Sequence, residues 1–488
     1  MRRRELVAAV LVSAASAAAL LAQAPDRSRA PAPGPPPALK LPAIQKFELS
    51  NRVPVLFIET HKVPLVEVAV VLRSGAAADP KGKPGLANLT AVMLDRGAGS
   101  RSALELSDEI DHLGAEIGAS ADWDETAVAV GVPSERLGPA LAIFSDVVRK
   151  PTFPAEELER VRKEMLTTFL QWRDEPEAIA RVAFARAIYG DHAYGRVTEG
   201  NEAFVRSVSR EDLERFHRAA FAPGNATIVA AGDVTAANLK TLLEASFGSW
   251  SGTGEKPPAV PEAQQVKGRS IWIVDVPDAA QSEIRVGRVG AARSTPDFFP
   301  MLVANTMLGG SFASRLNMNL REAHGYAYGA SSGFDFRLSA GPFYAAAAVQ
   351  TDKTSPALAE FFKELEGMRK PVGEDELTRA RNYLALRYPR GFETTGQLAT
   401  RLEAKVVYDL PDDYFTSYTD RIAKVTAADV ARIAARYIDP SSAAVVVVGD
   451  RRKIEAGIRA LNLGPVRVFT VDQILGGGKP RAQDPKSK

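Results

Sequence analysis

Val208 to Asp233 reads VSREDLERFHRAAFAPGNATIVAAGD, and Val425 to Asp450 reads VTAADVARIAARYIDPSSAAVVVVGD. The two align without a gap at a constant offset of 217. Asp212 meets Asp429, Arg215 meets Arg432, Pro223 meets Pro440, and Gly232-Asp233 meets Gly449-Asp450. Each copy gives an amphipathic helix, a Pro-bearing turn and a short apolar run that reads as a buried strand. A period this long marks a duplicated domain rather than a solenoid.

Outward from the repeat, each half mixes strands and helices without regular βαβ alternation, so the expected class is α+β. In the first half we place strand runs at 54–58, 65–72 and 126–132, and helices at 85–96, 104–113, 137–148 and 156–174. In the second, strands fall at 270–276 and 282–289. Helices fall at 300–307, 311–323, 356–368, 374–387 and 395–409. Residues 251–266, with Pro257, Pro258 and Pro261, read as the linker between domains at 41–250 and 267–472.

The chain has 488 residues, 45% hydrophobic and 25% charged, and no cysteine. Disulfides, thiolate metal sites and thiol nucleophiles are therefore excluded. Its five histidines (His61, His112, His192, His217 and His324) form no closely spaced ligand pair. Arg2, Arg3 and Arg4, an apolar run over 6–21 and Ala22-Gln23-Ala24 make residues 1–24 an expected signal peptide. Periplasmic or secreted placement follows as an expectation. Residues 25–40 form a Pro-rich linker, with six prolines in the fourteen residues from Pro25 to Ala38. Removing three Arg and one Glu with the signal leaves 58 basic and 58 acidic residues from the original 61 and 59. Such balance gives no footprint for nucleic acid. The tail 473–488 is expected to be disordered.

The stretch Thr306–Phe336, TMLGGSFASRLNMNLREAHGYAYGASSGFDF, carries the chemistry. Ser311 is positioned as an N-cap. Phe312, Leu316 and Leu320 make an apolar helix stripe, and Gly325 ends the helix. Tyr326 to Phe336 alternate as a strand, with Tyr326, Tyr328, Phe334 and Phe336 on one face. Arg321 and Tyr328 then flank one turn, as two donors able to reach a peptide carbonyl. The Gly309-Gly310 turn lacks the length and lysine of a phosphate loop.

With those residues in view, the chain resembles the two-domain bacterial branch of the M16 (insulinase-like, inverzincin) peptidases. The resemblance spans nearly all of residues 40–472. It rests on the duplicated half, on Gly-Gly-Ser-x-x-Ser-Arg-Leu at Gly309–Leu316, and on Leu-Arg-Glu-x-x-Gly-x-x-Tyr-Gly at Leu320–Gly329. Leu158–Arg162 adds a weaker match. Active members carry His-x-x-Glu-His on an early helix; the matching residues here are Asn88, Ala91 and Val92. Ala91 cannot act as a base and Val92 cannot bind metal, whereas zinc hydrolysis needs about three ligands and an open water position. Glu159 stands near the family's third ligand, and alone it does not hold zinc. The resemblance implies that Arg321 and Tyr328 grip substrate and steady the oxyanion.

The resemblance thus implies a non-catalytic subunit of a heteromeric zinc peptidase. It would have no cofactor of its own, a zinc-bearing partner subunit, and peptides as substrate. Hydrolysis by this chain alone is not expected. Two other classes stay open, a peptide-binding protein that does not cut and a structural scaffold. A surface role is expected for His61, a structural one for the loop around His192, and a helix-end one for His324.

Overall fold

The computed structural model describes Gly34 and residues 39–476. The expected signal peptide, most of the Pro-rich linker and tail residues 477–488 lie outside the described residues, while 473–475, expected to be disordered, end a short helix, Val471–Leu475, that buries Ile474.

Two six-stranded sheets organise the described chain. The first uses β1 (Ile44–Glu48), β2 (Pro54–Glu59), β3 (Leu65–Leu72), β6 (Glu116–Ala121), β7 (Thr126–Pro133) and β8 (Ala226–Gly232). A small ribbon, β4 (Gly97–Ala98) with β5 (Arg101–Ser102), stands apart. The second sheet uses β9 (Ser270–Asp275), β10 (Gln281–Val289), β11 (Ser331–Phe334), β12 (Pro342–Gln350), β13 (Ala444–Gly449) and β14 (Val466–Thr470). The orders are β6-β7-β3-β8-β2-β1 and β11-β12-β10-β13-β9-β14. In both, one strand runs parallel to the strand that closes the repeat: β2 to β8, with Val55 opposite Ile228, and β9 to β13, with Ile271 opposite Val445. Only the last edge differs: β1 is antiparallel to β2, while β14 is parallel to β9. The mixed sheets and their helices are an α+β fold.

The repeat holds in detail. Helices Arg210–Ala220 and Ala427–Tyr437 sit at the 217 offset. Asp212 and Asp429 accept from the backbone N–H of Ser209 (3.3 Å) and Thr426 (3.0 Å), closing the first turn. Gly232 is required for a backbone reason. Its φ is +140°, and a Cβ there would lie 2.3 Å from the carbonyl oxygen of Leu65.

Central strands are buried on both faces. Along β8, Ile228 and Ala230 join one core while Val229 and Ala231 join a second. Along β13, Ala444, Val446 and Val448 join the first and Val445 and Val447 the second. The cause is a reciprocal exchange. Helix Pro176–Tyr189 of the first half packs on β9, β10 and β13, and helix Thr395–Val407 of the second packs on β2, β3 and β8. Gly287 permits close approach, since a Cβ there would meet the Phe184 ring at 2.7 Å. From the sequence we place the 395–409 helix but no counterpart at 176–189. That helix is apolar nearly all round, from Ala178 to Tyr189, and shows no amphipathic stripe.

The 251–266 segment has no regular structure but is tied down at several points. The Pro261 carbonyl accepts from His192 Nε2 (2.9 Å) and Ser339 Oγ (2.9 Å), and Gln265 Nε2 donates to the Val289 carbonyl at 2.8 Å.

Candidate functional site

The site forms where helix Phe298–Leu308 ends and β11 begins. Here the local structure departs from the sequence reading. Ser311 is no N-cap; its hydroxyl donates back to the Thr306 carbonyl at 3.0 Å. Residues 309–314 form a run of turns, and the helix starts after Ser314. It makes one α-turn, Arg315–Asn317, then widens into a π-turn, Met318–Ala323. Such widened turns recur at functional sites. Gly325 leaves the helix at φ +63°, as expected of a left-handed terminator. Only Ser331–Phe334 pair as a strand; 326–330 are an extended connector tied by one bridge, Ala327 to Val349.

Leu316 and Leu320 are buried in the second core. Phe312, read from the sequence as the head of their stripe, instead sits in the preceding turns and is 65% exposed. Tyr328 is also not on the face of Tyr326, Phe334 and Phe336. Those three pack partly against the core, while Tyr328 is 89% exposed.

The two misplaced rings meet at Arg321. The Arg321 guanidinium lies 4.4 Å from the Phe312 ring centroid and 5.3 Å from that of Tyr328. It is flanked by two aromatic rings in solvent, with its Nε 3.4 Å from Glu322 Oε1. Cation–π stacking fixes a guanidinium while leaving its edge donors available. The Tyr328 hydroxyl adds a further donor on the same surface.

Asn317 holds the arrangement together, and sequence reading did not single it out. Its Oδ1 accepts from Ala330 N at 2.9 Å, and its Nδ2 donates to the Ser311 carbonyl at 3.3 Å. One buried amide thus ties the turns carrying Phe312 to the connector carrying Tyr328. Its only signal in the sequence is a polar residue next to Leu316 on the helix's inward side. Arg315 anchors the helix start through a bidentate pair to Glu376, both contacts 2.7 Å. His324 stacks on Tyr326, centroids 4.9 Å apart, with Nε2 3.9 Å from Glu360. Beyond the connector, β11 is an edge strand whose only ladder partner among the described residues is β12.

Asn88, Ala91 and Val92, read from the sequence as a degenerate motif, lie on helix Leu86–Met93 of the first half. Ala91 is 1% exposed within the core, Val92 packs against the same core, and Asn88 is half-buried. Glu159, on helix Ala155–Gln171, is exposed and accepts from Arg162 Nε at 3.1 Å. These residues do not fit a zinc ion: two hydrocarbon side chains occupy ligand and base positions, and the one carboxylate already has a cation. Among the described residues no group of three or more His, Asp or Glu side chains is disposed to hold a metal. Asp79 organises this helix, accepting from Gly85 N (2.6 Å) and Ala87 N (2.8 Å). Burial pushes its carboxyl up to about 7.

His217 and His61 make contacts within the fold. His217 is buried between Phe153 and Phe221 and bonds the Val148 carbonyl at 2.9 Å. His61 bridges Asp233 (2.5 Å) and Glu59 (3.1 Å) at the surface.

A family model described as "Insulinase (Peptidase family M16)" matches residues 54–202, and one described as "Peptidase M16 inactive domain" matches 207–384. An uncharacterized zinc protease of Mycobacterium tuberculosis is 26% identical over 381 residues, covering 77% of this chain and 87% of that protein. One from Streptomyces coelicolor is 27% identical over 348 residues, covering 70% and 76%. Among solved structures, a peptidase M16 inactive domain from Pseudomonas fluorescens is 25% identical with a TM-score of 0.78, covering 83% of this chain and 98% of that one. A protease from Helicobacter pylori, at 19% identity, shares the fold with a TM-score of 0.78 over 84% of this chain and all (100%) of that one.

Proposed function

Since the chain belongs to the M16 insulinase-type peptidase family, we propose that it is the non-catalytic, substrate-gripping subunit of a heteromeric zinc peptidase. The observation that carries this reading is the Arg321 guanidinium stacked between Phe312 and Tyr328, on a chain whose motif helix is hydrocarbon at Ala91 and Val92. A scaffold has no use for a half-buried guanidinium flanked by two exposed rings. A subunit assisting chemistry on a neighbouring chain does.

In this reading an extended peptide adds to the free edge of β11, its backbone continuing the ladder. Arg321 and Tyr328 then donate to the carbonyl oxygen under attack. The zinc-bearing partner subunit supplies the activated water. Donors aimed at a developing oxyanion are worth about 2.7–4 kcal/mol each when the site is closed from water. The expected signal peptide at residues 1–24 supports a periplasmic or secreted location in this reading.

The test mixes the purified chain with a zinc-bearing relative from the same organism and follows cleavage of a peptide library. Activity should appear on mixing, fall by about 10²–10³ with Arg321→Ala, and fall less with Tyr328→Phe. A partner fully active by itself would defeat the proposal. Peptide binding with no cleavage in any mixture would favour the non-cutting alternative.

A further inference from the structure

Four guanidiniums line a cavity of about 720 Å³ in the helical layer of the second half, and no carboxylate lines it with them. It lies among helices Glu374–Arg387, Thr395–Val407 and Tyr414–Ala423 and the turn Tyr388–Phe392. Its size falls in the range of small-molecule sites, about 300–1,000 Å³. It shares no residue with the Arg321 site.

Elsewhere in the chain a partly buried arginine usually meets an acid, as Arg315 meets Glu376. Here, among the described residues, the partners are neutral. Arg293 donates to Tyr414 Oη at 2.7 Å and lies 3.6 Å from the Phe298 ring centroid. Arg401 donates to the Gly391 carbonyl at 3.3 Å, and Arg387 to Tyr383 Oη at 3.0 Å. Arg390 is exposed beside Gly391. Four like charges around one hollow raise a positive potential that an anion would relieve.

The wall has a second character. The rings of Tyr388 and Tyr418 stack face to face, centroids 3.8 Å apart and planes within 1°. Tyr388 is 9% exposed, and its hydroxyl is shut from solvent without a hydrogen-bond partner among the described residues. A buried hydroxyl left unpaired is costly, and what the two rings offer the hollow is a flat aromatic wall.

We propose that this cavity binds a small organic anion carrying a flat ring, its carboxylate or phosphate held by Arg293, Arg387, Arg390 and Arg401 and its ring laid against the tyrosine wall. Isothermal titration of the full-length protein with 1-naphthyl phosphate tests it. One-to-one binding is expected, with 1-naphthol and inorganic phosphate each at least about tenfold weaker, because charge and ring act together. Arg387 and Arg390 are exposed, so R387Q/R390Q keeps the fold and should weaken binding about tenfold or more. The proposal fails if 1-naphthyl phosphate does not bind at millimolar concentration. It fails equally if 1-naphthol binds as tightly, or if R387Q/R390Q binds like the parent protein.

Discussion

In the proposed role, Arg321 serves only because its neighbours limit where it points. A free arginine on a helix end samples many rotamers, and ordering it costs up to about 2 kcal/mol of side-chain entropy. Phe312 and Tyr328 meet that cost in advance by stacking on it. Phe312→Ala should therefore lower the assisted peptidase rate about three- to tenfold, in line with an exposed cation–π contact of about 0.5–1 kcal/mol plus lost alignment. Phe312 is exposed, so the melting temperature should not move. A rate unchanged in Phe312→Ala, measured beside Arg321→Ala, would show that the stack does not position the guanidinium. The Arg–Tyr spacing was legible in the sequence, because seven residues spanning a Gly-terminated helix end bring both side chains to one turn. The role of Phe312 was not. Its spacing to Leu316 and Leu320 fits a helix, and only the Gly309–Ser314 turns take it off that stripe.

At the scale of elements, the exchanged helices explain both what was readable and what was hidden. The 395–407 helix carries a polar side and announced itself by periodicity. The 176–189 helix lies between layers and does not. The 395–407 helix also brings Glu403 against the first sheet, close to Glu125 and Glu67. Burial, and then the nearby charges of Glu403, Asp122 and Asp124, push the Glu125 carboxyl up to about 7. Burial likewise raises Glu403, and raises Glu67 with help from Glu403 and Glu116. Each folded-state value lies above the unfolded one, so the folded form holds extra protons. The stability they lend is full below the ordinary carboxylate range and is lost as pH rises through about 7 for Glu125. His217 opposes this lower down. Burial depresses it to about 4, so its contribution is present above its unfolded value near 6.5 and is lost as pH falls toward 4. The melting temperature should thus be higher at pH 6 than at pH 8. Glu125→Gln should narrow that gap, raising the pH 8 value by roughly 2–4 °C for each kcal/mol recovered. Thermal scans at the two pH values decide; an unchanged gap would mean that Glu125 ionises freely.

For the whole molecule, the duplication was legible because the 217 offset preserves a capped helix, a proline turn and a strand in phase. Sequence also marked 251–266 as the linker between two domains, and the structure adds how that connection is held. The connection is pinned by His192, Ser339 and Gln265, and each sheet depends on a helix from the other half. Such long-range exchange leaves no local mark in a sequence. Residues 39–250 expressed alone would expose the face of β3 and β8 that Leu398 and Leu402 cover. That fragment should be insoluble or lack a cooperative thermal transition, and co-expression with residues 251–476 should restore one. A fragment that melts cooperatively by itself would refute the interdependence.

The reciprocal crossing of these helices also speaks to ancestry. A gene encoding a single copy would make a protein that could satisfy both sheets only by pairing with its own twin, each lending the other one arm. Joining two such genes end to end would preserve that handclasp and free the copies to diverge. In the proposed reading, one could then lose metal-binding side chains from its early helix while the other kept a basic residue poised near the surface.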